Sequence, residues 1–413
     1  MAASAAPFDV EIAIWSCGLG VSDAEQVLGL LPGSVSLASS SGSVPGCAVS
    51  GVVAAVGASV LDLVPGDEVV ALLPMAVSAE SGGLEGGGGV AERCVVARPW
   101  VLRRPTLVGH SDAAAALLPG LRAFDALCFR AGLGASDLEG RIVLVCDAAS
   151  ASNHLTTQLA LQWGARVVAT AASDGAIDFL LDVRLRNEHR RSADDGDGDA
   201  DAETDGARGG RGGNGAVFGS LRIVDARCES VEAVLADESG GIGADIIIES
   251  GELSAVWSVS SLARALAARA SAGRPVAWGA APATPPAAPR TLLSSDAVLR
   301  CVAVHGRWVS GRRSPPIANA SIARALLLKN ASLNMVYAPS WAACPRAQGR
   351  LLHTLREILA LVASGRLVVR RNVAAERPLA AAVDAYRACA GVDQPEGAGV
   401  VVVRVRPRVR PRT

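Results

Sequence analysis

Between Arg141 and Ser173 the chain carries a run whose residue order could hold a nucleotide. Arg141–Cys146 (RIVLVC) has the length of a buried strand. Thr156–Trp163 has helical spacing, and Gly164 stands where that helix would end before a second buried strand, Val167–Thr170. Strand, turn, helix and strand in about 30 residues make a βαβ unit. In such a unit the first turn meets the positive end of the helix, and glycines there let the backbone approach a pyrophosphate. Here the turn reads Ala148-Ala149-Ser150-Ala151-Ser152-Asn153-His154 and has no glycine. A side chain at a close-approach position either meets the phosphate or forces the turn open. Ser150, Ser152 and Asn153 remain as side-chain donors to an anion, beside the helix N-terminus. The competing reading is a turn of small residues that only ends a strand.

The second strand ends Thr170-Ala171-Ala172-Ser173, with no acid to accept from the ribose hydroxyls of NAD. Thr170 and Ser173 are then the groups beside an adenosine ribose. Arg184 and Arg186 could face a 2'-phosphate, or could be a solvated helix face. In the early loop Gly18–Asp23, Ser22 and Asp23 are the polar candidates for catalysis, and Asp23 also reads as the cap of a following helix.

Other chemistries lack their parts. There is no G-x-x-x-x-G-K-[ST], H-E-x-x-H or G-x-S-x-G, which sets aside phosphoryl transfer, metalloprotease and serine hydrolase chemistry. The nine cysteines and five histidines are scattered, without C-x-x-C or ligand spacing, so no metal site is expected and the thiols read as buried small hydrophobes in a reducing compartment. Thirty-nine basic against 40 acidic residues leave a formal charge of -1, and two tyrosines and five phenylalanines are too few for a base-stacking surface, so no nucleic acid is expected. The start lacks a basic segment before an apolar one. No later stretch offers about 18 uninterrupted apolar residues, so a soluble, cytoplasmic protein with no membrane span is expected.

The elements that would position this turn fall in two styles. Residues 8 to 103 give short strands at close intervals, among them Val10–Trp15, Gly51–Val56, Glu68–Leu73 and Arg93–Val96, the pattern of a barrel, with Gly82–Gly89 as a glycine-rich loop. From about Asp112 the period becomes helical, and β/α alternation follows through Leu221–Asp225, Val231–Ala236, Asp245–Ile248, Cys301–Val304 and Ser332–Val336, a doubly wound sheet. Asn187–Asn214, rich in Asp and Gly and then in Gly and Arg, reads as a disordered insertion, and Ala280–Pro289 as a loop extension. An amphipathic helix at Leu351–Val362, a helical stretch at Leu379–Cys389 and a strand at Val400–Val405 close the chain, ahead of an Arg-rich tail.

Taken in order, Gly18-Leu19-Gly20-Val21-Ser22-Asp23, Val44-Pro45-Gly46-Cys47-Ala48-Val49, Pro65-Gly66-Asp67-Glu68-Val69-Val70, Gly120-Leu121-Arg122-Ala123-Phe124, Gly240-Gly241-Ile242-Gly243-Ala244-Asp245 and Ala363-Ser364-Gly365-Arg366-Leu367 resemble a known family. It is the zinc-independent, zeta-crystallin-like quinone oxidoreductase and enoyl reductase branch of the medium-chain dehydrogenase/reductases. The resemblance implies an α/β fold with a GroES-like β-barrel domain built from both chain ends (residues 1–120 and 340–413) around an inserted Rossmann domain (121–339, interrupted at 187–214). It also implies departures. The nucleotide turn is one residue short and without the glycines of A-x-x-G-x-x-G, Ile177 stands where NADPH-dependent relatives carry Lys, and Gly20 stands where they carry Asn. Gly20-Val21-Ser22 and Gly46-Cys47-Ala48 replace the zinc-binding motifs of alcohol dehydrogenases.

Two functions follow as expectations. One is a catalytically degenerate reductase kept as a scaffold or binding subunit of a protein complex, for which the resemblance implies an endosomal assembly recruited by a small GTPase. The other is an NADPH-dependent quinone, enone or enoyl reductase passing hydride to a small acceptor between the domains. The resemblance further implies a homodimer through the Rossmann edge strand, an edge that a larger complex would use for a different partner.

Overall fold

The computed structural model describes residues 6–20, 23, 46–73, 75–77, 84–86, 88–151, 153–196, 219–249, 293–311, 320–341, 344–371, 376–382, 385 and 400–405. Ser22 and Ser152 lie outside them, as do 280–289, 197–214 and the tail from 406.

The N-terminal strands are β1 (Asp9–Leu19), β2 (Ala48–Val56), β3 (Glu68–Leu72), β4 (Met75–Val77), β5 (Leu84–Gly86), β6 (Arg93–Ala97) and β7 (Val101–Arg103). Helix α1 (His110–Phe124) leads to the alternating part: β8 (Ile142–Val145), α2 (His154–Gln162), β9 (Arg166–Ala171), α3 (Asp174–Gly196), β10 (Ser220–Asp225), α4 (Val231–Ser239) and β11 (Ala244–Glu249). After it come α5 (Ser295–Cys301), β12 (Val302–Ser310), α6 (Ala320–Lys329), β13 (Ser332–Met335), α7 (Gln348–Ala363), β14 (Arg377–Pro378) and β15 (Val401–Arg404).

The expected strand near the C-terminus finds its partner at the other end of the chain. β15 pairs antiparallel with β1, Ser16 opposite Arg404 and Leu19 opposite Val401. The order β14-β15-β1-β2-β3-β7, with β6 also on β1, makes one sheet from both chain ends. Val10, Ile12, Ile14, Val49, Val69, Val401 and Val403 bury its inner face. Part of the expected Gly82–Gly89 loop is strand: β5 pairs antiparallel with β4.

The second sheet is parallel, in the order β10-β9-β8-β11-β12-β13. All four residues of β8 are buried, as a strand covered on both faces requires. Strand order reverses between β8 and β11, and in an open sheet of this kind a crevice opens at the C-terminal ends of the strands at that point.

α1 joins the two sheets. Ala113–Leu117 are fully buried in it, and its small side chains admit β1 so closely that a Cβ on Gly18 would lie 2.7 Å from the Ala114 carbonyl oxygen. α1 spans residue 120, the expected domain limit, and ends in a π-helical turn, Asp125–Arg130.

The segment expected to be disordered from Asn187 is helical as far as Gly196, within α3. Tertiary contacts override its polar composition: Asn187 is buried and donates to the Gly219 carbonyl at 2.8 Å, and Arg190 donates to the Arg366 carbonyl at 3.0 Å.

Candidate functional site

The crevice has a barrel wall and a Rossmann wall. On the Rossmann wall the turn after β8 works without glycine because Asp147 takes the left-handed conformation (φ 50°), one that Asp tolerates better than most side chains. The turn is then bonded to itself and to β9. Asp147 N–H donates to Thr170 Oγ1 at 2.9 Å, and Ala148 N–H to the Thr170 carbonyl at 2.9 Å. Asn153 N–H donates to Ser150 Oγ at 3.2 Å, and Asn153 Nδ2 to the Cys146 carbonyl at 2.7 Å. Thr157 Oγ1 donates to the Ala148 carbonyl at 3.1 Å.

The side chains expected to meet a nucleotide are therefore brought together, but facing inward. Ser150, Asn153 and Thr170 are buried, and Ser173 is buried while its Oγ caps α3 by accepting from Ala176 N–H at 3.2 Å. His154, wholly buried beneath the turn, places Nδ1 at 3.0 Å from the Ser150 carbonyl and 3.1 Å from that of Ala151. Burial holds its pKa down to about 4, so the ring is neutral and Nδ1 is the donor. Arg370, arriving from beyond α7, donates to the Ala149 carbonyl and to that of Gly175, and its guanidinium lies 5.3 Å from the centre of the Phe179 ring.

Near the start of α3 Ile177 packs on the core, while Arg184 and Arg186 stand about three turns beyond that start, away from the crevice, where Arg186 pairs with Asp182 at 2.8 Å and Arg184 with Glu188 at 3.8 Å. Arg227, just after β10, donates to Asp174 at 2.7 Å and to Asp225 at 2.8 Å. Its guanidinium holds the Asp225 carboxyl down at about 2.

The barrel wall is held by Asp23. Its carboxylate accepts from Gly20 N–H at 2.8 Å and Gly46 N–H at 3.1 Å, which is the work of a loop clamp. Burial raises its pKa to about 6, against the pull of those two N–H groups and of Arg122. Cys47 is buried and its thiol is pushed up by burial, as a core residue.

Gly18, Gly20, Ala48, Leu118, Ala151 and Arg122 are among the residues that enclose a cavity of about 20 Å³ between the walls, room for one water molecule. Ala151 brings the nucleotide turn into direct register with the barrel there. Arg122 on α1 is the cationic side chain of that lining, and sequence reasoning treated it only as part of a marker motif. Its signal was a charge on the buried face of an otherwise alanine- and leucine-rich helix. A second group also escaped notice: Glu249, buried at the end of β11, accepts from Trp308 Nε1 at 2.8 Å. Among the described residues no three His, Cys, Asp or Glu side chains are placed to hold a metal ion. No helix there is long and apolar enough to cross a membrane.

Residues 6–106 match the alcohol dehydrogenase GroES-like domain. The chain superposes on Escherichia coli quinone oxidoreductase complexed with NADPH, with a TM-score of 0.65 at 16% identity, covering 98% of this chain and 94% of that one. The CurK enoyl reductase gives 0.60 at 17% identity, covering 98% and 93%. The chain shares the fold of these proteins, a GroES-like barrel with a parallel Rossmann-type sheet. In sequence this reductase-fold chain is similar to the quinone oxidoreductase-like protein 1 of Mus musculus, 30% identical over 203 residues, which is 49% of this chain and 46% of the relative. It is also similar to the chloroplast envelope quinone oxidoreductase homolog of Arabidopsis thaliana, 35% identical over 138 residues, 33% of this chain and 39% of the relative. These matches span less than half the length of either relative. The family resemblance and the α/β architecture read from the sequence are borne out.

Proposed function

We propose that this quinone oxidoreductase-like chain has lost its nucleotide chemistry and serves as a binding subunit of a protein complex. The observation that carries this reading is the turn after β8. Its glycines are replaced, and of the three side chains that could have compensated, Ser150 and Asn153 are bonded to the protein's own backbone, as is Thr170 at the ribose position, while Ser152 lies outside the described residues. A pyrophosphate would have to break those buried bonds, each costing on the order of 1–3 kcal/mol. The described residues of the turn do not fit NADPH. As in the expectation from sequence, such a subunit would be cytoplasmic or endosome-associated. Its Rossmann edge strand β13, with Leu327 and Leu328 exposed on the neighbouring α6, is the surface a second copy or another subunit would cover.

The test is titration of the purified protein with NADPH and NADH, followed by thermal shift and nicotinamide fluorescence. No saturable response is expected up to millimolar nucleotide. A ligand at about 100 times its dissociation constant would add about 2.7 kcal/mol of stability. A saturable response at micromolar NADPH overturns the reading.

That outcome would call for a quinone and enone substrate screen and revive the second reading, an NADPH-dependent quinone, enone or enoyl reductase. Arg122 favours it. Lining the cavity between the walls, its guanidinium is the donor that could steady the oxygen of a carbonyl acceptor as charge develops on it.

A further inference from the structure

At the N-terminal edge of the Rossmann sheet, opposite the crevice, three guanidiniums rim one shallow concavity of about 10 Å³, so that an anion larger than a water molecule would sit at its open mouth. Arg186 and Arg190 come from α3 and Arg366 from the turn after α7, and Gln162 and Asn187 complete the polar lining. Arg190 reaches across to α7: it donates to the carbonyls of Gly365 and Arg366, the latter at 3.0 Å, and so caps the negative end of that helix. Gln162 Nε2 donates to the same Arg366 carbonyl at 2.6 Å. These bonds fix the backbone of Arg366 against α3 and bring its side chain beside Arg190.

The charge of this cluster is poorly balanced. Arg186 has a carboxylate partner in Asp182 at 2.8 Å, but the bonds of Arg190 go to neutral carbonyls. Burial, and then the neighbouring guanidiniums of Arg186 and Arg366, hold the Arg190 pKa below the usual arginine value. The protein has thus placed like charges together around a recess, at a cost that a bound anion would offset. Converging guanidiniums suit an oxyanion with several acceptor oxygens, because each fork can donate two parallel bonds.

We propose that Arg186, Arg190 and Arg366 form a binding site for a phosphate monoester. The site lies at the end of the sheet away from the crevice and is independent of whether the crevice takes a nucleotide. Two sources share this chemistry, a small phosphorylated metabolite and a phosphorylated side chain of a partner.

The experiment is a thermal-shift titration of the full chain with sodium phosphate, ionic strength held constant with chloride, and in parallel with a capped Gly-phosphoserine-Gly peptide. A saturable response is expected in the low millimolar range or below. Arg366→Gln and Arg186→Gln, both at exposed side chains, should each weaken it at least tenfold. Arg190 is left intact because it also caps α7. A peptide response tighter than that of phosphate supports a phosphorylated partner, and an equal or weaker one supports a small metabolite. The proposal is overturned if neither probe gives a saturable response, or if both variants respond as the parent does. It is equally overturned if binding appears only after the seven carboxylates of residues 194–205 are replaced by their amides, because the chain's own acidic run would then be the occupant.

Discussion

The two walls of the crevice hold their backbones in opposite ways. On the barrel wall one ionisable side chain, Asp23, joins two loops through Gly20 and Gly46. On the Rossmann wall Ser150, Asn153, Thr157 and Thr170 share the work with neutral hydrogen bonds, over a neutral His154. A wall closed mainly by neutral bonds has the described polar side chains of its turn, Ser150 and Asn153, already engaged with its own backbone, and the one guanidinium on that turn, Arg370, bonded to the Ala149 and Gly175 carbonyls. A wall closed by one carboxylate keeps a charge that answers to pH.

The largest expected effect tests how tightly the barrel wall is pressed on α1. In Gly18→Ala the new Cβ would lie 2.7 Å from the Ala114 carbonyl oxygen and 3.0 Å from its carbon, both backbone atoms that cannot swing aside. We expect a loss of about 3 kcal/mol by chemical denaturation, the upper part of the usual range for overpacking. Gly349→Ala, near the start of α7 with nothing within 4 Å of its Cβ, is the control and should be neutral or slightly stabilising. Equal losses in the two variants would mean that the walls are not clamped through Gly18.

The second effect is a pH dependence of opposite sign on the two walls. Asp23 has its folded pKa raised from 3.8 to about 6, so between those values the folded chain holds a proton that the unfolded chain has lost. Its contribution is present at low pH and disappears as pH rises toward 6, by up to about 3 kcal/mol. His154 has its folded pKa lowered from 6.5 to about 4, so the unfolded chain binds the extra proton in that window. Its contribution is present above about 6.5 and is lost as pH falls toward 4, by up to about 3 kcal/mol. Melting temperatures of the parent, Asp23→Asn and His154→Gln from pH 4 to 7 check this. Relative to Asp23→Asn the parent should lose ground as pH rises, and relative to His154→Gln it should gain. Slopes of one sign would break the comparison.

What was legible beforehand follows the same division. The strands and the βαβ unit could be read because burial and period leave their mark on every second or every third and fourth residue, whereas the return of the last strand to the barrel came only from the family resemblance. The missing glycines were also visible. That Asp147 would take their place at positive φ was not, because a single backbone angle leaves no periodic trace. Nor could the direction of Ser150, Asn153 and Thr170 be read, since a small polar residue in a turn bonds a ligand or its own backbone with equal ease. Helix α3 ran past Asn187 against the grain of its composition because Gly219 and Arg366, far away in sequence, supply the partners.

The smallest effect sharpens the comparison at the outer rim of the Rossmann wall. Arg227 joins Asp225 and Asp174 across the ends of β10 and α3, an ion-pair cluster on a wall otherwise closed by neutral bonds and by the Arg370 guanidinium. Its side chain is exposed, and water and salt screen such pairs. Arg227→Gln should therefore leave the melting temperature at pH 7 unchanged within measurement error. It should nevertheless move one local property: the Asp225 carboxyl, held at about 2 first by the Arg227 side chain and then by the backbone N–H of the same residue, should rise part of the way toward an ordinary aspartate in an NMR titration, because that backbone N–H remains. The native contribution of that pairing is present above the unfolded aspartate value and fades only as pH falls toward 2, so it has no part in the pH 4 to 7 behaviour of the two walls. A shift in those slopes on replacing Arg227 would show that the rim and the turn beneath it are coupled.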